Sequence, residues 1–103
     1  MQAESFKAKL LTRHREKGES LQDLYGDISR LLKLAYPGAD SALVNHVGIE
    51  SFTAALNDPD FYYEVLKREP TSLQAAANYA IKLEAYSHSL SAHTTVSAKW
   101  GSG

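Results

Sequence analysis

Four histidines are the residues of this 103-residue chain that most directly suggest chemistry: His14, His46, His88 and His93. An imidazole can bind a transition metal or act as a general base near neutral pH. No pair of them has the His-Glu-x-x-His spacing of a zinc protease. The chain has no cysteine, which excludes zinc knuckles, disulfides and thiol catalysis. We therefore expect neither a metal site nor a cofactor.

Carboxylates give no better catalytic candidate. Asp58 and Asp60 flank Pro59, an arrangement typical of a helix cap, a proline at the first helical position and an acid in the first turn. The sequence contains no Gly-x-Ser-x-Gly elbow, no glycine-rich phosphate loop and no dinucleotide fingerprint. We predict that the chain is not an enzyme and has no catalytic residue.

The charge balance argues against an electrostatic nucleic-acid binder. Eleven basic and twelve acidic side chains nearly cancel, whereas nucleic-acid binders usually show a basic excess. Basic residues do cluster near the N-terminus, and they are Lys7, Lys9, Arg13, Arg15 and Lys17. A solvated helix face is the favoured interpretation of this cluster, and a phosphate-contacting patch is the alternative. We expect no direct nucleic-acid site.

The length and the hydropathy pattern predict one small domain away from membranes. A chain of this length forms one domain, and no apolar run approaches the roughly 18 residues that span a bilayer. No signal peptide is visible. We expect an intracellular, cytoplasmic protein without a membrane partner. Residues 1–88 form the predicted domain, and residues 89–103 are predicted to be a flexible tail or a remnant of cloning.

Helix breakers divide this domain into segments of helical length. The breakers are Gly18, Pro37-Gly38, Asn57-Asp58-Pro59 and Pro70. Between them no strand pattern appears, so we predict an all-α fold, a compact bundle of four to five short helices. The predicted segments are 3–16, 21–36, 41–56, 59–68 and 72–88.

Capping residues support these boundaries. Ser20 is the predicted N-cap of the second segment, and Asp40 or Ser41 that of the third. Thr71 and Gln74 have the spacing of a capping box before the fifth. The second segment has the clearest helical period of apolar residues, and its Gly26 predicts a close approach of another helix. In the first segment Phe6, Leu10 and Leu11 form the predicted apolar face, with Arg13 as a candidate further member of it.

The third segment has two apolar faces. At about 100° per residue, the inner stripe comprises Val44, Gly48, Phe52, Ala55 and Leu56. Leu43, Val47 and Ala54 fall on the opposite side, together with His46 and Glu50. A surface helix normally carries polar residues there. Leu43 and Val47 are one turn apart and would stand side by side.

Two interpretations of the second face remain open. The chain can bury it on itself, or the two apolar side chains can be scattered surface residues without a role. The sharper hypothesis is a two-fold contact in which this helix packs on its own copy. Burying a valine or leucine contributes about 1.5–3 kcal/mol, so after the costs of association the contact would be weak. Weak contacts suit a protein that assembles through many copies.

The order of the segments resembles one known family. The stretch "RHREKGESLQDLYGDISRLLKLAYPG" (13–38) is similar to the Gag capsid region of Ty3/gypsy-type LTR retrotransposons and of host genes domesticated from them. The stretches "FTAALNDPDFYYEVLKREP" (52–70) and "TSLQAAANYAIKLEA" (71–85) resemble the segments that follow in that family. The resemblance covers about residues 5–87, and it implies a fold like the retroviral capsid C-terminal domain.

The resemblance also implies roles for particular residues. Segment 17–36 resembles the major homology region, which stabilises the capsid fold through a turn, a buried hydrogen-bond network and core apolar residues. In this reading Glu19 accepts hydrogen bonds from free backbone N–H groups and pairs with an arginine. The matching positions are Gly18, Glu19, Leu21, Leu24, Ile28 and Arg30. The next helix corresponds to the retroviral dimer helix, with Val47 at its central dimer position.

The function implied by the family is structural. It is a Gag domain whose homotypic contacts build a virus-like retrotransposon capsid, with the chain itself as partner and the assembled form particle-associated. RNA binding would lie elsewhere in the parent Gag. Lys17 departs from the retroviral Gln-Gly start, and Val47 is smaller than the aromatic residue common at its position, which predicts a weaker dimer. The alternatives are a domesticated adaptor that binds a protein partner and a SCAN-like dimerisation domain.

Overall fold

A computed structural model describes the backbone of residues 2–93 and the side chains of residues 2–87. Within this range the chain forms five helices and no strand, so the predicted all-α bundle is confirmed. The second, third and fourth helices end one or two residues earlier than the sequence predicts. The helices are α1 (Gln2–Thr12), α2 (Leu21–Ala35), α3 (Ser41–Ala55), α4 (Pro59–Leu66) and α5 (Leu73–His93).

The first and last helices differ most from expectation. Helix α1 ends at Thr12, so residues 13–20 are a non-helical connector rather than the last turn of a helix. Helix α5 continues to His93, five residues beyond the predicted end at 88. The predicted flexible tail therefore begins inside a helix, and residues 94–103 of that prediction lie outside the described residues.

Side-chain caps begin the helices largely as the sequence predicts. The Ser20 side chain accepts a hydrogen bond from the N–H of Asp23, and Asp40 accepts one from that of Leu43. Asp58 caps α4, with Pro59 in the first turn. These caps satisfy N–H groups that have no partner inside the helix.

The capping box predicted for Thr71 and Gln74 is wrong. Ser72 is the residue whose hydroxyl accepts a hydrogen bond from the N–H of Ala75, at 3.0 Å. A second acceptor comes from another helix, because Oδ1 of Asn45 on α3 accepts from the N–H of Leu73 at 3.0 Å. A contact between helices thus fixes the start of α5, and a local sequence motif cannot reveal it.

Helix α3 lies at the centre of the bundle, where it contacts the other four helices. Its Phe52 and Ala55 are fully buried, and so is Thr53, whose hydroxyl donates to the carbonyl of Ile49 at 2.7 Å. Bonding to its own helix lets this hydroxyl enter the core without an unpaired polar atom. The apolar core consists of Leu10, Leu21, Leu24, Ile28, Leu31, Leu32, Ala35, Phe52, Ala55, Leu56, Val65, Leu73, Ala76, Ala77 and Ala80.

The glycine at the closest helix approach is Gly48 on α3 and not Gly26. A Cβ built at Gly48 would meet Cδ1 of Leu32 at 3.0 Å and Cβ of Leu73 at 3.2 Å. At Gly26 a Cβ would meet nothing within 4 Å. Gly48 thus allows α2 and α5 to pack closely against α3, and the prediction for Gly26 is wrong.

Only part of the predicted apolar face of α1 is buried. Leu10 is buried and Phe6 packs beside the core, whereas Leu11 is 83% exposed. Phe6 and Leu10 are one turn apart and share a stripe, from which Leu11 is rotated by about 100°. Helix α1 also places Lys7 Nζ 5.0 Å from the ring centroid of Tyr36, just after α2.

Candidate functional site

The outward side of α3 carries the residues that the sequence assigns to a contact surface. Leu43 is 43% exposed, although it is a large apolar residue. Val47, one turn further along, is half-buried and packs against the core with part of its side chain. The chain therefore does not bury this apolar pair completely.

Three polar or small residues surround this pair. His46, Glu50 and Ala54 are all exposed. Ala54 leaves a shallow position on the helix surface, whereas His46 and Glu50 bring a hydrogen-bond donor and an acceptor. We call Leu43, His46, Val47, Glu50 and Ala54 the α3 face. All five predicted residues lie on one accessible surface, and their role in a contact stays a prediction.

A second group of predicted residues lies around the connector between α1 and α2. Gly18 has a φ of +82°, a left-handed conformation that favours glycine, and its turn is closed by the N–H of Glu19, which donates to the carbonyl of Glu16 at 3.0 Å. Leu21, Leu24 and Ile28 are buried. They form the part of α2 that faces the core, as their spacing predicts.

The Glu19 carboxylate is the centre of a polar network, but its partners differ from the expected ones. It accepts a hydrogen bond from Arg13 and another from the N–H of Glu16, at 2.9 Å. The sequence pointed to Arg30 and to the free N–H groups of a helix start. Arg30 instead pairs with Asp27 one turn away, and its side chain is 58% exposed.

Helix geometry explains why Arg30 cannot reach Glu19. Glu19 lies just before α2, whereas Arg30 is in its third turn, about 16 Å further along the helix axis. Arg13 comes from the connector, which folds back along α2. Its Nε donates to Asp27 at 2.8 Å while another nitrogen donates to Glu19. The guanidinium group therefore joins the turn to the helix.

Sequence reasoning did not assign a role to Asp27 or Glu84. Glu84 on α5 accepts hydrogen bonds from both terminal nitrogens of Arg15, at 2.9 and 3.2 Å. The backbone N–H of Arg15 also donates to the carbonyl of Ala55, at 2.7 Å. The only signal in the sequence was the excess of basic residues in the connector. Arg13 and Arg15 are thus structural ion-pair partners and not part of a solvated helix face.

The network changes the acidity of its carboxyl groups. Hydrogen bonds from Arg13 lower the pKa of Glu19 below its ordinary value, against the opposing effect of burial. The same guanidinium lowers the pKa of Asp27, with a further contribution from Arg30. In return, the two carboxylates raise the pKa of Arg13 above its usual range. All three groups are charged at neutral pH, where the network is complete.

Metal-ligating side chains do not cluster in the described part of the chain. No group of three or more histidine, aspartate or glutamate side chains in this part of the chain could hold a metal ion. His14 lies in the connector and His46 on the α3 face, while the side chains of His88 and His93 lie outside the described range. No helix in the described part is long and apolar enough to cross a membrane.

Comparisons with protein-family models, with curated proteins and with solved structures found no match to this chain. The described residues define a small all-α domain in which an arginine–carboxylate network holds the entry to α2. The central helix of this domain keeps a partly apolar face open to solvent.

Proposed function

We propose that this chain is a Gag capsid-type assembly domain that binds its own copy through the α3 face. One observation carries the proposal: Leu43 and Val47 remain accessible on the helix that contacts all the others. The resemblance of segments 13–38, 52–70 and 71–85 to the capsid region of Ty3/gypsy-type elements supports the same function.

The size of the apolar patch agrees with a weak contact repeated many times. Leu43 and Val47 are already partly buried in the single chain, so pairing removes only the remainder of their surface from water. Complete burial of each would contribute about 1.5–3 kcal/mol, and the loss of translational and rotational freedom opposes association. In a shell, tethering each copy at several contacts raises the overall affinity far above that of one contact.

A sedimentation-equilibrium series tests the proposal. We expect the wild type to dimerise at high concentration, and Leu43→Asp to weaken the dimer by about tenfold or more, equivalent to roughly 1.4 kcal/mol. Position 43 suits this test because an aspartate in the first turn of a helix is tolerated. Ala42→Asp is the matched control. It adds the same charge one residue earlier, at an exposed position outside the α3 face, and should leave the dimer unchanged.

Two results would overturn the proposal. The first is a wild type that sediments as a monomer up to millimolar concentration. The second is a dimer that Leu43→Asp and Ala42→Asp weaken equally. Val47→Asp provides a second variant on the face, with a circular-dichroism melt to verify folding, because Val47 also packs against the core. A monomeric wild type that captures a defined helical peptide would favour an adaptor.

A further inference from the structure

Helix α1 is held to the bundle by little apolar surface. Of its 11 residues only Leu10 is buried, and Phe6 is half-buried beside the core. Among the described helices it contacts α2 and α3 but neither α4 nor α5. A helix with few buried apolar contacts can detach while the rest of a domain stays folded. The contacts of the connector that follows α1 therefore decide whether α1 stays in place.

This connector is fastened to the bundle by two arginines. Arg13 donates to Asp27 on α2 at 2.8 Å, and Arg15 donates to both carboxylate oxygens of Glu84 on α5, at 2.9 and 3.2 Å. The backbone N–H of Arg15 adds the hydrogen bond to Ala55 at the end of α3. Both side chains that these arginines bind outside the connector are thus carboxylates, which lose their charge in acid.

We propose that these ion pairs form an acid-released latch, so that protonation of the carboxylates frees α1 and the connector together while α2 to α5 stay folded. The latch consists of Arg13 with Glu19 and Asp27, and of Arg15 with Glu84. At neutral pH two cations face three anions, and the connector is held against α2, α3 and α5. The device lies apart from the α3 face and does not depend on self-association.

Acid removes attraction from this region and also creates repulsion. The other charged or titratable side chains lining the clefts beside the latch are Lys9, His14, Glu16, Lys17 and Arg30. Glu16 is the one acid among them. Once the carboxyl groups are neutral, only positive charges remain, because an imidazole is protonated at low pH. Like charges at short distance repel one another, so the connector is driven away from α2.

The acidity of the carboxyl groups sets the pH at which the latch opens. Hydrogen bonds from Arg13 lower the pKa of Glu19 and of Asp27 below their ordinary values. A group with a depressed pKa stabilises the folded form above its ordinary value, and this contribution is lost as the pH falls through the folded pKa. The latch is therefore closed at neutral pH and opens between about pH 5 and pH 3.

Hydrogen exchange followed by mass spectrometry tests the order of opening. The protein is labelled at a series of pH values from about 7 to about 3, with labelling times corrected for the intrinsic exchange rate at each pH. The amides of residues 6–12 in α1 should lose protection at a higher pH than those of residues 45–55 in α3. Near pH 4 the protection of α1 should have fallen by about tenfold or more relative to that of α3.

A variant at neutral pH tests the latch without acid. Glu84→Gln removes the charge opposite Arg15 but lies on α5, far along the chain from α1. It should lower the protection of residues 6–12 by about tenfold at pH 7, because the connector loses its attachment to α5. Glu64→Gln is the matched control, since Glu64 is paired with Lys67 and Arg68 at the surface. It should leave the protection of α1 unchanged.

Two results would overturn the latch. The first is a loss of protection in α1 and α3 at the same pH, which would show that the domain unfolds as one unit. The second is a Glu84→Gln variant whose α1 is as well protected as in Glu64→Gln, even if α5 itself loses protection. Neither measurement involves the α3 face, so a failure here would leave the proposed function unaffected.

Discussion

Arg13 and Glu19 form a hydrogen-bonded ion pair that closes the turn between α1 and α2. Their side chains are only 16% and 15% exposed. The pair is thus partly shielded from water, and its two charges interact more strongly than those of a surface pair. It explains why a glutamate stands directly before the Ser20 cap without itself capping the helix.

Glu19→Gln should therefore destabilise the domain, by about 1–3 kcal/mol at pH 7 in urea unfolding. The substitution keeps the shape of the side chain but removes the charge opposite Arg13. Glu64→Gln is the control, because Glu64 pairs with Arg68 and Lys67 at the surface. Surface pairs contribute little, so this variant should remain close to the wild type. Equal losses for both variants would contradict a special role of the Arg13 network.

The same network predicts how stability depends on pH. Arg13 lowers the pKa of Glu19 and of Asp27 below their ordinary values of 4.5 and 3.8. A depressed pKa in the folded state stabilises the fold fully above about pH 5, and this contribution is lost as the pH falls through the folded pKa. Urea unfolding between about pH 6 and pH 3 should show a steeper loss for the wild type than for Glu19→Gln. Parallel curves would show that Glu19 contributes nothing to the acid sensitivity.

Replacing Gly48 and Gly26 by alanine should change the stability of the domain in opposite directions. Gly48→Ala should lower the free energy of unfolding by about 1 kcal/mol or more, because its Cβ would press on Leu73 at 3.2 Å and overpacking outweighs the gain in helix propensity. Gly26→Ala should raise it by up to about 1 kcal/mol, because its Cβ enters open space. Thermal melts of both variants provide the measurement. If Gly48→Ala instead raised the free energy of unfolding, α3 and α5 would be able to move apart without loss of stability.

Glu69, three residues after α4 ends at Leu66, has a strained backbone. Its φ of +53° lies in the left-handed region, which costs a residue with a side chain about 1 kcal/mol or more. Glu69→Gly should therefore stabilise the domain by up to about 1 kcal/mol. This net gain already allows for the greater flexibility that glycine gives the unfolded chain. Asn57, with a φ of +56°, is the comparison. Asparagine tolerates this conformation, so Asn57→Gly should change the melting temperature less.

Asn45 should stabilise the fold through its side-chain oxygen, which accepts a hydrogen bond, and not through its NH₂ group. Asn45→Ala leaves the N–H of Leu73 without its partner and should cost about 1–2 kcal/mol. Asn45→Asp keeps the acceptor and adds a negative charge at the start of α5, where the helix dipole favours it. Chemical unfolding should thus place Asn45→Asp at or above the wild type. If both variants lose the same stability, Asn45 contributes through the packing of its side chain and not by capping α5.

Local signals in the sequence predicted much of the fold. The starts of α2 and α4 are set by residues that contact only their near neighbours in the chain, namely Ser20, Asp58 and Pro59. Their types and spacing were therefore sufficient to place both starts. The buried stripe of Leu21, Leu24 and Ile28 follows from the helical period alone. Such features depend on neighbours in the chain and are visible without coordinates.

The features that the sequence did not reveal depend on distant partners. Asn45 serves a residue 28 positions away, and Arg15 reaches Glu84 over 69. The choice of Gly48 over Gly26 as the close-packing glycine depends on which side of α3 receives Leu73. Of the candidate site, the helical period located the accessible α3 face, whereas the arginine of the Glu19 network came from an unpredicted connector.

The hydrogen bond from the N–H of Arg15 to the carbonyl of Ala55 has a mechanical consequence. It ties the connector to the final residue of α3, so a pull on α1 is transmitted to the helix that carries the α3 face. On the proposed function, load between copies joined through that face would pass through this hydrogen bond. In the proposed assembly, this hydrogen bond would couple the connector of each copy to the helix that contacts its neighbour.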